Sequence, residues 1–125
     1  KRKLTMANPN IVAVSSIFAK LAFDADVAAS AVSFLPGVSN KVLKINSLVI
    51  ANIDGTNAAS IDVWITRSSA DYYLAKTISV PADATLVVID KNVGLYITED
   101  DTLKIQASAA GDLSAVCSYE EIDDA

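Results

Sequence analysis

Three arrangements would give this chain a chemistry: a converging carboxylate pair, a thiol beside a base, or a set of metal-binding side chains. Asp83, Glu99, Asp100, Asp101, Asp112, Glu120 and Glu121 supply acids, but they gather in turn-like stretches and near the C-terminus. Hydrolysis by two carboxylates needs the pair to face each other across a cleft. An Asp in a turn instead bonds nearby backbone amides and stays solvated. The chain has no histidine, so a Ser-His-Asp triad and a Cys-His pair are both excluded. No serine lies in a G-x-S-x-G elbow. Glu99-Asp100-Asp101 is the best candidate for calcium, which takes oxygen ligands, but it lacks EF-hand spacing. Zinc lacks its usual Cys and His ligands. Gly37, Gly55, Gly94 and Gly111 are isolated, so no glycine-rich phosphate loop exists. The expectation is a chain that is not an enzyme and holds no cofactor and no metal.

Cys117 is the only cysteine and forms no intrachain disulfide. It falls in the alternation Leu113, Ala115, Cys117, Tyr119 and reads as a small buried hydrophobe. The aromatic residues are a different matter. Trp64, Tyr72 and Tyr73 lie near one another in sequence and form the candidate interface or ligand face. Trp64 alternates with Ile61, Val63 and Ile65 and shares its side with Asp62 and Thr66, so it is expected to point away from the intrachain core. An outward Trp serves either a subunit contact or a ligand such as a sugar.

The elements that must position these rings are strands. Lys41–Arg67 is the most informative stretch: Val49, Ala51 and Ile53 alternate on one side of an Asp54-Gly55 turn, and Ile61, Val63 and Ile65 on the other. Period two means strand, and Asp-Gly predicts a tight hairpin between the two runs. Further strands are expected over Ile11–Lys20, Ala22–Leu35, Tyr72–Val80, Thr85–Asp90, Leu95–Thr98, Leu103–Ala107 and Leu113–Tyr119. Turns are expected at Pro36-Gly37, Ser68–Asp71, Pro81–Ala84, Lys91–Gly94 and Glu99–Asp101. Eight or nine short strands at regular spacing predict an all-β, single-domain antiparallel β-sandwich, jelly-roll or Ig-like. Residues 1–10 read as an N-terminal extension or arm, 11–122 as the sandwich, and 123–125 as an acidic tail, with the closing EEIDDA expected to fray.

At 125 residues the chain is long enough for one core. Its hydrophobic fraction of 52 % and mean hydropathy of +0.38 are high for a soluble sandwich, yet no apolar run exceeds four residues, so no membrane span is expected. The run Leu86-Val87-Val88-Ile89 is apolar on both faces, which implies cover on both sides. In so small a domain the second cover is expected to be another copy, in a closed cyclic oligomer, a trimer first. The net charge of −5 argues against a nucleic-acid partner. Lys1, Arg2 and Lys3 form the basic cluster, upstream of a Met6 that could be the natural start, and no signal peptide is expected.

The opening MANPNIV, the block SLVIANIDGTNAASIDVWITRSS, the segment AKTISVPADATLVVIDKNVGLYITEDDTLKIQASA and the ending VCSYEEI resemble small virion structural proteins of tailed bacteriophages, including those of cyanophages. The resemblance spans Met6–Ile122 and carries no catalytic signature; the Lys1–Thr5 extension departs from it. It implies a β-sandwich subunit located in the virion, with other virion proteins as partners, serving as a capsid decoration, neck or tail component. The alternative is a carbohydrate-binding or adhesin-like module, with Trp64, Tyr72 and Tyr73 as an exposed ring platform.

Overall fold

The computed structural model describes residues 14–124; the expected arm at residues 1–10 and the start of the first strand lie outside them. The described chain is all strand and connection: β1 (Val14–Asp24), β2 (Val32–Pro36), β3 (Lys41–Asn52), β4 (Ala59–Arg67), β5 (Ala70–Val80), β6 (Thr85–Ile89), β7 (Leu95–Ile97), β8 (Asp101–Ala107) and β9 (Leu113–Asp124). Two antiparallel sheets form a sandwich. One has the order β1-β9-β3-β6, with β7 also on β3; the other has the order β2-β8-β4-β5. β6 pairs with Leu48–Ala51 of β3 and β7 with Leu43–Ile45, so β6 and β7 act as one interrupted strand. Counted that way, the two four-stranded layers have the arrangement of a jelly roll.

Alternation supplies the core. Leu43, Ile45, Leu48 and Ile50 of β3 meet Ile61 and Val63 of β4 and Leu103 and Ile105 of β8, all at most 1 % exposed. Each such aliphatic side chain contributes roughly 1.5–3 kcal/mol on burial. Cys117 is buried among them, as its alternation predicts.

The expected Lys41–Arg67 hairpin does not form. β3 and β4 lie in different sheets, and the Asp54-Gly55 segment crosses the top of the sandwich. Positive φ occurs at Gly94 and Gly111 but not at Gly55. Asp54 instead accepts from the amides of Thr56 and Asn57 through Oδ1, at 2.8 and 3.3 Å, an Asx-type turn. Both runs have an apolar inner face, and local alternation cannot say which sheet each joins.

The tight hairpin lies one connection later. Arg67 pairs with Ala70, leaving a two-residue loop, Ser68-Ser69, with φ of 52° and 66°. Positive φ at both positions is the type I′ turn that suits strand twist, a conformation serine accepts only with strain. Replacing the pair with Asn-Gly is therefore expected to raise stability by about 1 kcal/mol, read as a higher denaturant midpoint at unchanged slope.

Two further expectations change. The Ala22–Leu35 strand is two strands separated by an irregular segment, with β1 ending at Asp24 and β2 beginning at Val32. The acidic C-terminal segment is not frayed: β9 runs to Asp124 between β1 and β3. Ile122 is buried there, Asp123 binds Lys41 and Ser16, and Glu121 pairs with Lys20 at 3.1 Å and Lys41 at 3.5 Å. The hydrogen bond to Asp123 holds the Lys41 ammonium above its ordinary pKa, and Lys41 and Ser16 hold Asp123 below the usual carboxylate range.

Candidate assembly surface and lateral cleft

The three aromatic residues singled out in the sequence are divided between two sites. Trp64 pairs with Tyr73 and Lys104 on the outer face of the β2-β8-β4-β5 sheet and is absent from the intersheet core. It is nonetheless only 4 % exposed. Tyr73 lies against it with centroids 5.4 Å apart and planes inclined by 31°, and Lys76 Nζ sits 4.5 Å from the centre of the Tyr73 ring. This stack places Trp64 beneath its neighbours and leaves Tyr73 partly open.

Tyr72, the next residue, points the other way and is 60 % exposed. It lines a cleft of about 310 Å³ at the lateral opening of the sandwich, with Ile65, Arg67, Tyr96 and Asp101. Arg67 donates to Asp101 through Nε at 2.5 Å and Nη2 at 2.9 Å, a bidentate pair whose carboxylate is nearly enclosed. The Thr98 hydroxyl and amide also donate to Asp101, at 2.8 and 3.1 Å. Burial pushes the Asp101 carboxyl up, but the bonds from Arg67 and Thr98 outweigh it and hold the group below its usual range.

A carboxyl with a depressed folded pKa gives stability that is complete above its unfolded value near 4 and is lost as pH falls through the lower folded value. Asp101→Asn is thus expected to flatten the acid limb of stability as pH falls below about 4, measured as denaturant midpoint against pH. An unchanged limb would show that Asp101 takes up no proton on unfolding.

The calcium candidate is used internally. Asp101 serves Arg67, and Glu99 Oε2 accepts from the Asn40 amide at 2.9 Å. Among the described residues no group of three metal-binding side chains converges.

A further surface feature is one the sequence hinted at only through Leu86–Ile89. On the outer face of the β1-β9-β3-β6 sheet, register aligns Phe23, Val116, Val49 and Val87 in one row across all four strands. Phe23 is 69 %, Val87 54 % and Val116 43 % exposed. A parallel row holds Ala19, Glu120, Lys44 and Tyr96. Between them Leu21 stands beside Ser118 and Ser47. A groove of about 470 Å³ opens there, lined by Ala19, Lys20, Leu21, Phe23 and Ser118. No single strand reveals this face, because each contributes one or two of its residues and the register is tertiary.

The edges differ too. β5 is kinked at Thr77, whose φ is 53° and whose amide donates to Asp62 Oδ1 at 2.6 Å. Such a bulge blunts an edge strand against further pairing.

No family model matches the chain, and no curated protein matches it. Among solved structures it is similar to a chain from the structure described as "Bacillus endospore appendages form a novel family of disulfide-linked pili", with 17 % identity, a TM-score of 0.51, and coverage of 88 % of this chain and 90 % of that one. At that identity the likeness is one of fold, and it spans nearly the whole sandwich.

Proposed function

We propose that this chain is a non-enzymatic structural subunit of a bacteriophage virion, which self-associates in a closed oligomer and docks on the particle as a capsid decoration, neck or tail component. The observation that carries the self-association is the apolar row Phe23-Val116-Val49-Val87 on the solvent side of a sheet whose other side already faces the core. A contiguous apolar face of this kind marks an interaction surface. Jelly rolls build viral capsid and lectin domains, which is compatible with this reading. The assignment to a phage particle rests on the sequence resemblance.

Association of these subunits would be non-covalent. The structural neighbour is described as disulfide-linked, whereas the one thiol here, Cys117, is buried and its pKa is pushed up to about 12 by desolvation. Antibody labelling of purified particles tests the proposal. Regular decoration at one location is the expected result; particles whose complete protein content lacks this chain would reject the virion assignment.

A second reading, a carbohydrate-binding module, is favoured by one observation: Tyr72 and Arg67, both more than half exposed, border a cleft of ligand size. It predicts glycan-array signals that Tyr72→Ala reduces at least tenfold while Tyr73→Ala leaves them in place, since Tyr73 belongs to the other face. A blank array removes it.

A further inference from the structure

Resting on the self-association reading, we infer that the outer face of the β1-β9-β3-β6 sheet is a twofold interface with a second copy of this chain, its axis running parallel to the strands between β9 and β3. The register itself supplies the argument. A twofold contact requires a patch complementary to itself. Rotation about such an axis exchanges β9 with β3 and β1 with β6 and β7, keeping each row opposite its own image. Glu120 then faces Lys44 of the second copy, and Lys44 faces Glu120 of the second copy. Val116 meets Val49 of the second copy, and Phe23, the most exposed large apolar residue among those described, meets Val87 of the second copy.

The remaining pair matches shape as well. Tyr96, 44 % exposed at the sheet edge, falls opposite Ala19 of the second copy. Ala19 and Ser118 are the small residues of the 470 Å³ groove, and Leu21 and Phe23 also line it. At this end of the face a large residue on one edge thus opposes a small one on the other, while at the other end Phe23 and Val87 are both apolar. A rotation axis across the strands would instead set Glu120 against Glu120 and Lys44 against Lys44 if it lay on that row, or bury Glu120 against Val116 and Lys44 against Val49 if it lay midway between the rows. With β1, β9 and β3 of 11 or 12 residues, β6 and β7 of five and three, and strands ~4.8 Å apart, the sheet presents at most roughly 700 Å² per copy, somewhat under the ~800 Å² each partner contributes to a standard interface. Two sheets packed face to face with near-aligned strands are an ordinary sandwich contact.

Reciprocal charge reversal tests the geometry. On light scattering, the wild-type chain is expected at twice 13.1 kDa. Glu120→Lys and Lys44→Glu, each alone, place like charges opposite one another twice and are expected to weaken the dimer at least tenfold. An equimolar mixture of the two single variants is expected to form a heterodimer, because both opposed pairs are then complementary. A repair of pairing confined to one chain cannot produce that result. Phe23→Asp, at a position too exposed to threaten folding, is expected to give a monomer that still unfolds cooperatively, with a midpoint that no longer depends on protein concentration.

A wild-type oligomer that survives all three substitutions would place the contact elsewhere and overturn this inference while leaving self-association intact. Dissociation of each single variant without heterodimer formation would overturn the twofold arrangement. A wild-type chain monomeric at high micromolar concentration would overturn both this inference and the self-association reading.

Discussion

Asn52→Ala is expected to lower stability by about 3 kcal/mol, although it removes no apolar surface. Asn52 closes β3 and is 4 % exposed. Its side-chain amide donates to the carbonyl oxygens of Asn57 and Val80, each at 2.9 Å, and its Oδ1 accepts from the Asp54 amide at 2.8 Å. One side chain therefore fixes both ends of the crossover and ties it to the end of β5 in the opposite sheet. Truncation leaves the Val80 carbonyl buried without this partner and strips the part-buried Asn57 carbonyl and Asp54 amide of theirs, and an unmet buried group costs about 1–3 kcal/mol. Asn52→Asp separates the charge from the shape. At neutral pH it sets a carboxylate against the two carbonyls and should be worse than Ala; protonation restores one donor, so its deficit should shrink on acidification. Denaturant midpoints at pH 7 and pH 4 read both effects. A loss under 1 kcal/mol for Asn52→Ala would mean that water replaces the side chain.

Asn52 also explains why the sequence misled at this point. The strands on either side of Asp54-Gly55 are legible from period two, and Ile61, Val63 and the partly buried Ile65 fall on the core side together as their alternation groups them; in the first run the alternation Val49, Ala51 and Ile53 marks the outer face, and Leu48 and Ile50 between them fill the core. Their pairing is not legible. Asp-Gly is a hairpin signal because it tolerates positive φ, but Asp54 here spends its carboxylate on the amides of Thr56 and Asn57, and Gly55 keeps an ordinary φ. The connection also runs from Ile53 to Ala58, longer than a two-residue loop, which is room enough to change layers. Conversely, the true type I′ turn uses two serines, which sequence preference does not favour. The consequence is topological: a hairpin would make β3 and β4 neighbours, while the crossover puts them on opposite layers of a jelly roll.

Surface chemistry was legible to a different degree. The outward setting of Trp64 follows from its alternation with Val63 and Ile65, but its cover does not, since Tyr73 reaches it across strands and Lys76 sits over Tyr73 in turn. Tyr72 and Tyr73 look like one cluster in sequence and are separated by the pleat, which sends neighbours to opposite faces. The apolar excess in the composition is matched by an exposed apolar face on the β1-β9-β3-β6 sheet. Which residues form it depends on how β1, β9, β3 and β6 align, and that register is set by the core on the other side of the sheet.

Gly37→Ala is the second large effect, expected to cost at least 3 kcal/mol and to spread beyond its own turn. Gly37 follows β2, and its amide donates to the Asp101 carbonyl at 2.7 Å. A Cβ on Gly37 would stand 2.2 Å from the Thr98 carbonyl oxygen and 2.9 Å from that of Asp101. Both obstacles are backbone, in the turn that aims Asp101 at Arg67, so no rotamer change relieves them, and overpacking of this kind costs about 1–3 kcal/mol or more. The turn must move, and moving it disturbs Thr98 and Asp101 together. Gly37→Ala should therefore weaken the acid limb of stability in the same sense as Asp101→Asn, besides lowering the midpoint at neutral pH. Gly94→Ala is the matched control: nothing lies within 4 Å of its Cβ, and only its φ of +59° resists the change, so a loss of about 1–2 kcal/mol is expected. Equal losses at the two glycines would show that backbone conformation, and not the close approach of two turns, governs Gly37.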